Sequence, residues 1–373
     1  MDHKLDQRRL RIAQVAPLYE SVPPRLYGGT ERVVAYLTEA LTRRGHEVTL
    51  FASGDSSASA KLEPARPNAL RIAGLGRWGD SLHLPMLSRV FENSDRFDVI
   101  HCHLDYWAFP FARMVATPTV TTLHGRLDIP QLLEVYRYYA DLPAISISGA
   151  QRKPLPELNW VGTVYHGLPL DQLRFHPNPG QYLAFLGRIA PEKRPDLAIE
   201  VARRAGIALK IAAKVDPVDQ SYFENHIRPL LRGGGVEFLG EINEREKDEF
   251  LGNALALLFP VDWPEPFGLV MIESLACGTP VIARPCGSVP EIITGGVTGF
   301  VASTLDQLVA AVRRIPSISR HRCRAEFEAR FSADAMAANY EKIYLRLIND
   351  HSLRERRLRH WAANGAEQRT LAN

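Results

Sequence analysis

Short apolar runs alternate with amphipathic helical segments, twice over and on either side of one turn-rich stretch. This pattern constrains the chain more than any other feature of its sequence. The first unit opens with an apolar run of strand length at 10–16, followed by a loop rich in proline and glycine at 17–29. Val33, Val34, Leu37 and Leu41 then fall on one face of a helix. Thr30 stands where an N-cap belongs, Glu31 in the first turn and Arg43 and Arg44 in the last suit the helix dipole, and Gly45 is a stop. The run 48–52 supplies the next strand. Strand, helix, strand in this order requires a crossover, and so a parallel sheet.

Strands of the same kind are expected at 98–103, 119–123 and 144–148, with 53–80 read largely as loop. The composition changes at 171–180, where Phe175-His-Pro-Asn-Pro-Gly180 reads as a linker. A second alternation follows, with strands at 182–186, 209–213, 236–239, 256–259 and 281–283 and helices at 195–205, 245–253 and 268–277. From Leu305 the chain reads as helical, broken at Pro316, with a frayed tail after Trp361. A length of 373 residues suits two domains. The boundary is placed between 172 and 173, giving an N-terminal domain of 1–172 and a C-terminal domain of 173–334. The fold class is therefore α/β, two Rossmann-like doubly wound domains facing across a cleft. Ligands bind at the C-terminal edges of such sheets.

Composition narrows the functional classes. The charge of +3, from 45 basic and 42 acidic residues, lacks the basic excess of a dedicated nucleic-acid binder. The four cysteines, at 102, 277, 286 and 323, form no CxxC pair and read as reduced thiols. The first ten residues carry no apolar signal-peptide core, and no apolar stretch is long enough to span a membrane. A cytoplasmic location is the expectation. The basic run 351–360 would form either a solvated helix face or a weak contact with an acidic membrane surface.

Chemistry concentrates in a few loops. Between a strand ending at Phe259 and a helix beginning near Gly268 lies Trp263-Pro-Glu-Pro-Phe-Gly268, with Glu273 further along that helix. Amide groups at a helix start can bind an anion such as phosphate, and glycine there lets a ligand approach the backbone. Carboxylates on either side, Glu265 and Glu273, suit hydroxyl recognition at both ends of a nucleotide sugar. Arg188 and Lys193 stand on the loop after the 182–186 strand, where a guanidinium fork and a point charge can neutralise a diphosphate. Gly28 and Gly29 precede another helix start, without the GxGxxG spacing of a dinucleotide-binding enzyme. His101 and His103 share a strand face, but no recognised metal-ligand spacing accompanies them. His124 follows the next strand and can offer a hydrogen bond to a hydroxyl, and His103 with Asp105 is a candidate for acceptor binding. Lys214 either adds phosphate charge or lies in solvent.

The stretch 263–283 resembles the Glu-x7-Glu signature of retaining GT-B glycosyltransferases, above all the large family 4 group. The resemblance includes Gly287-Ser-Val-Pro-Glu291, Thr298-Gly-Phe300 and the Gly187-Arg-x-x-x-x-Lys193 element, and it spans most of the chain. It implies that Glu265 faces the donor sugar, that Glu273 holds the ribose, and that the backbone of Phe267, Gly268 and Leu269 binds the diphosphate and sugar. Arg188 and Lys193 would bind the diphosphate, while Gly28, Gly29 and His124 approach the donor from the other domain. The strand-loop around Phe238–Ile242 would lie near the base. The segment at His166 resembles an Asn-Gly-x-x-x-Asp element with His in place of Asn. The resemblance also implies a C-terminal helix, about 335–360, that rejoins the first domain. The expected reaction is metal-independent transfer of a hexosyl unit from a UDP- or GDP-sugar, with no further cofactor, to a carbohydrate, lipid or small-molecule acceptor. A nucleotide-sugar epimerase, a non-catalytic nucleotide-sugar-binding protein and a dehydrogenase are the other readings.

Overall fold

The apolar runs become the strands of two parallel sheets. The computed structural model describes residues 8–25 and 28–370, and the backbone alone at 76–78 and 352–370. The first sheet contains β1 (Arg11–Val15), β2 (Glu47–Ala52), β3 (Lys61–Pro64), β4 (Val99–Cys102), β5 (Thr119–Thr122), β6 (Ala144–Ser146) and β7 (Trp160–Thr163). Its order is β3-β2-β1-β4-β5-β6-β7, all parallel. The second contains β8 (Tyr182–Arg188), β9 (Ala208–Lys214), β10 (Val236–Gly240), β11 (Ala254–Phe259), β12 (Val281–Ala283) and β13 (Gly299–Val301). Its order is β10-β9-β8-β11-β12-β13, also parallel. The strand order reverses beside β1 in one sheet and beside β8 in the other. At such a switch the two neighbouring loops diverge and leave a crevice.

The central strands are apolar because helices cover both of their faces. Leu183, Ala184, Leu209, Ile211, Leu257 and Ile282 are essentially closed to solvent, as are Ile12, Val99 and Val120 in the first sheet. The helix Pro195–Ala205 has Pro at its start and Gly206 in the left-handed region, φ 71°, at its end. The closing helix, Ala333–Thr370, returns to the first sheet. Arg44 Nε donates to Glu341 at 2.9 Å, and Tyr344 reaches the polar side chains of β1 and β4.

Two local expectations need correction. Thr30 does not cap the first helix. That helix runs Gly29–Arg43, Gly28 is its N-cap, and no side chain bonds there. The segment read as loop at 53–80 contains β3, a short edge strand whose residues are only partly covered. A helix at His83–Glu92 was not foreseen, nor was β7 at the opposite edge. Tyr27, the side chains of the basic run after His351, and the tail beyond Trp361 apart from its helical backbone lie outside the described residues. Among the described residues no helix is long and apolar enough to cross a membrane.

Candidate active site

The two strand-order switches open onto one cavity of about 570 Å³. Its lining includes Gly28, Gly29, His124, Arg188, Lys193, Glu265, Phe267, Gly268, Leu269 and Glu273, and of the strand-loop 238–242 only Glu241 and Ile242. Asp105, His103, His166 and Lys214 line it as well.

The second sheet supplies a charged wall. Gly268 caps the helix Leu269–Ala276 with φ 82°, and a Cβ there would sit 2.8 Å from Met271 Cε. Among the described residues, the amides of Leu269 and Val270 meet no hydrogen-bond acceptor, so this helix start presents bare N–H groups to the cavity. The preceding loop is fixed from outside by Gly287, φ 58°, where a Cβ would lie 2.2 Å from the Glu265 carbonyl oxygen. That close approach lets Ser288 N donate to the same oxygen at 2.9 Å and Ser288 Oγ donate to the Phe267 carbonyl at 2.7 Å. Phe267 is otherwise a core residue, with its ring 4.7 Å from that of His166.

The charges nearest the helix start are paired. The Glu265 carboxylate accepts from Lys193 Nζ and, at 2.9 Å, from Trp263 Nε1. Lys193 also lies 4.7 Å from the centre of the Trp263 ring. Arg188 faces three carboxylates, Glu192 at 2.7 Å, Asp219 at 3.4 Å and Asp216 at 3.6 Å. Lys214 pairs with Asp216 at 2.8 Å. Glu273 is buried, its Oε1 held by Lys247 at 2.8 Å and its Oε2 without a partner.

Sequence reading missed Lys247. It stands on the helix Glu244–Gly252 and pairs also with Glu244 at 2.7 Å. Glu244 in turn takes Arg32 at 3.0 Å from the first helix, so an ion-pair network crosses the cleft. Burial opposes charge on Lys247, but Glu273 and Glu244 outweigh it and hold the ammonium above its usual range. The spacing of Glu244 and Lys247 was visible in the sequence, but their approach to Glu273 is tertiary.

The first sheet supplies a cluster of buried imidazoles, beside the charged Glu20, Arg71 and Arg126 that also line the cavity. His124 meets His103 through Nε2 and Nδ1 at 2.8 Å, and its ring stacks against His166 at 5.3 Å. Burial pushes His124 down to about 3 and holds His101, His103 and His166 well below the ordinary imidazole range. Both nitrogens of His101 are occupied, by Tyr344 Oη at 2.6 Å and Thr122 Oγ1 at 2.7 Å. Asp105 sits in the left-handed region at φ 46°, and burial pushes its carboxyl up to about 6. Glu31, buried at the start of the first helix, is pushed up to about 7 by burial. Gly29 meets the other wall, where a Cβ would lie 3.7 Å from Leu269 Cδ1.

This arrangement can grip a diphosphate between two cations and a helix start, and can take hydroxyls on Glu265 and Glu273. Residues 172–332 match the family model described as Glycosyl transferases group 1, and residues 27–160 match that of Glycosyltransferase Family 4. The chain is 24% identical to D-inositol 3-phosphate glycosyltransferase of Mycolicibacterium smegmatis, over 84% of this chain and 86% of that one. The sucrose-phosphate synthase of Thermosynechococcus elongatus superimposes with a TM-score of 0.73 at 19% identity, over 92% of this chain and 100% of that one. Anabaena HepE, solved in complex with UDP-glucose, gives 0.68 at 16% identity over 90% and 99%.

Proposed function

The chain belongs to the group 1 glycosyltransferases of GT-B fold, and on that footing we propose that it transfers a hexosyl unit from a UDP- or GDP-sugar to an acceptor hydroxyl, with retention at the anomeric carbon. The bond from the anomeric carbon to the diphosphate oxygen breaks, and a bond from the acceptor oxygen forms on the same face. The acceptor proton passes to the departing diphosphate. One observation carries this reading. The bare amides of the helix Leu269–Ala276 lie on the same cavity as Arg188 and Lys193, with an acid to either side. Fixed donors of this kind act most strongly on charge that develops as the diphosphate leaves. Their presence supports a metal-independent reaction. Glu265, closed in by Lys193 and Trp263, is an electrostatic and positioning group for the sugar.

The test is incubation with a panel of nucleotide sugars, with and without candidate acceptors. Glycoside formed only when acceptor is present, with the anomeric configuration of the donor seen by NMR, is the expected result. Conversion of the sugar without acceptor identifies an epimerase, and binding without turnover a regulator. Glu265→Gln should lower kcat about 100-fold while leaving donor affinity within about threefold. Unchanged turnover would remove Glu265 from the site.

A further inference from the structure

Three helices bring their first turns to one side of the cavity, and each carries charge there. Arg32 closes the first turn of the helix Gly29–Arg43, where its amide donates to the Gly28 carbonyl at 3.1 Å. Glu244 opens the helix Glu244–Gly252, and Lys247 follows one turn on. Glu273 stands one turn into the helix Leu269–Ala276. All four side chains line the cavity. They are largely closed to water, with exposures of 7% for Arg32, 23% for Glu244, 15% for Lys247 and 4% for Glu273, so this is not a surface network.

The contacts alternate in sign. Arg32 Nη1 lies 3.0 Å from Glu244 Oε1, Lys247 Nζ lies 2.7 Å from the same oxygen, and Lys247 Nζ lies 2.8 Å from Glu273 Oε1. The other oxygen of Glu244 accepts from Gln172 Nε2 at 3.1 Å, at the boundary between the domains. Asn243 and Glu246 form a capping box that fixes the backbone on which Glu244 stands. Glu244 thus joins the first domain, the linker and its own helix.

Charge shows what holds the set together. The second domain contributes two carboxylates and one ammonium, which leaves one negative charge over. Arg32 arrives from the first domain and balances it. A cation in the first turn of a helix opposes the helix dipole, so Arg32 is held there by what it faces. Burial opposes its charge, but Glu244, Tyr36 and Glu273 outweigh that and raise the guanidinium above its usual range. Taking one partner from a buried ion pair leaves the other uncompensated. The four charges are therefore balanced only while the two domains meet.

The pairing also has a geometric consequence. Through its backbone bond, Arg32 is tied to the loop of Gly28 and Gly29. Through Lys247, Glu244 is tied to the helix whose start presents the bare amides of Leu269 and Val270. We infer that Arg32, Glu244 and Lys247 are positioning residues that clamp these two glycine-led helix starts at a fixed separation across the diphosphate site. None of the three has to touch the ligand. The diphosphate rests on the transferase reading above, and the clamp does not.

Small-angle scattering of the full chain without ligand tests the clamp, and calorimetry with UDP and GDP tests its use. Arg32→Met keeps much of the side chain's length and loses its charge. It should raise the radius of gyration by about 1 Å, as a hinge opens, and an excess of nucleotide should restore the wild-type value. It should also raise the nucleotide Kd about 10-fold, because less of the protein is competent to bind. Glu244→Gln should give both effects and serves if Arg32→Met fails to fold. In the double variant the two losses of affinity should not add, since either change opens the same clamp. A wild-type radius in both single variants, an enlarged radius that nucleotide does not restore, or losses that add overturns the inference. Scattering as expected, with a wild type that binds neither UDP nor GDP, would defeat the transferase reading alone.

Discussion

The two walls of the cavity solve the problem of polar burial in opposite ways. The wall from the second sheet keeps its groups charged and pairs them. The carboxylates around Arg188 are only partly covered, with side-chain exposures of 33% for Glu192, 23% for Asp216 and 13% for Asp219. Such partners can turn toward water when a diphosphate takes their place, so the charged wall can rearrange on binding. The wall from the first sheet keeps its imidazoles neutral and links them in a chain sealed from water. A sealed chain cannot borrow a hydrogen bond from solvent, so its geometry must be correct before a substrate arrives. One wall adapts to its ligand, and the other is set in advance.

Acid should separate them most strongly. His101, His103, His124 and His166 are held neutral in the fold and become charged in the unfolded chain below about pH 6.5. Their lowered values contribute stability that is present at neutral pH and is lost as pH falls. Between pH 7 and 5.5 the four together account for a loss of about 5 kcal/mol, and the raised Asp105 and Glu31 return about 2. The expected net loss from these groups is about 3 kcal/mol, to which His46 and His83, also lowered by burial, add, and it is measured as a fall in the urea midpoint. Because burial and not ion pairing causes it, the loss should persist in 0.5 M salt, a concentration on the order of that at which surface pairs are screened. Equal stability at the two pH values would break the distinction between the walls.

The walls also differ in how far they could be read in advance. The charged wall is largely local, with Arg188 and Lys193 on one strand end and its loop and Glu265, Gly268 and Glu273 on one loop and helix, so spacing made them candidates and the family resemblance decided them, while Lys247 went unread. The neutral wall is assembled across the chain, with Gln14 and Tyr344 330 positions apart. Its local signs were the histidines at 101, 103 and 124 and, unread, a glutamine amid the apolar residues of β1, a polar group that must find a partner if buried. The same reasoning covers the fold. Central strands read as apolar runs because both faces are buried, whereas β3 carries Lys61, Glu63 and Pro64 at an edge and lacks that pattern. Thr30 misled as a cap because the glycines before it let the helix begin two residues earlier without any side chain.

The adaptability of the charged wall can be sharpened at Arg188. Arg188→Ala removes the cation and leaves Glu192, Asp216 and Asp219 facing the diphosphate, with Lys214 still paired to Asp216. Nucleoside diphosphate affinity should fall about 20-fold in calorimetry, near 1.8 kcal/mol, while binding of the bare nucleoside changes little. The deficit should shrink as salt rises, because the repulsion acts through partly exposed groups. Equal losses for both ligands would mean that Arg188 supports the wall's shape and not its charge.

Glu31 tests the boundary between the walls, since like Asp105 it is an acid beside the buried imidazoles. It is buried at the start of the first helix, accepts from Glu20 N at 3.3 Å, and is pushed up to about 7 because burial outweighs that bond and its own backbone N–H. A carboxyl raised in the fold binds its proton there over a range in which the unfolded chain has released it. Its contribution is intact below the unfolded value and is lost as pH rises toward about 7. Between pH 6 and 8 the wild type should lose about 1 kcal/mol of stability from this group. Glu31→Gln keeps the size and the hydrogen-bonding oxygen but cannot ionise. The difference in urea-unfolding free energy between the two proteins should therefore grow in favour of the variant from pH 6 to 8, which cancels the parallel histidine terms. A constant difference would show that Glu31 is already ionised in the fold, and would place the first helix start with the charged wall.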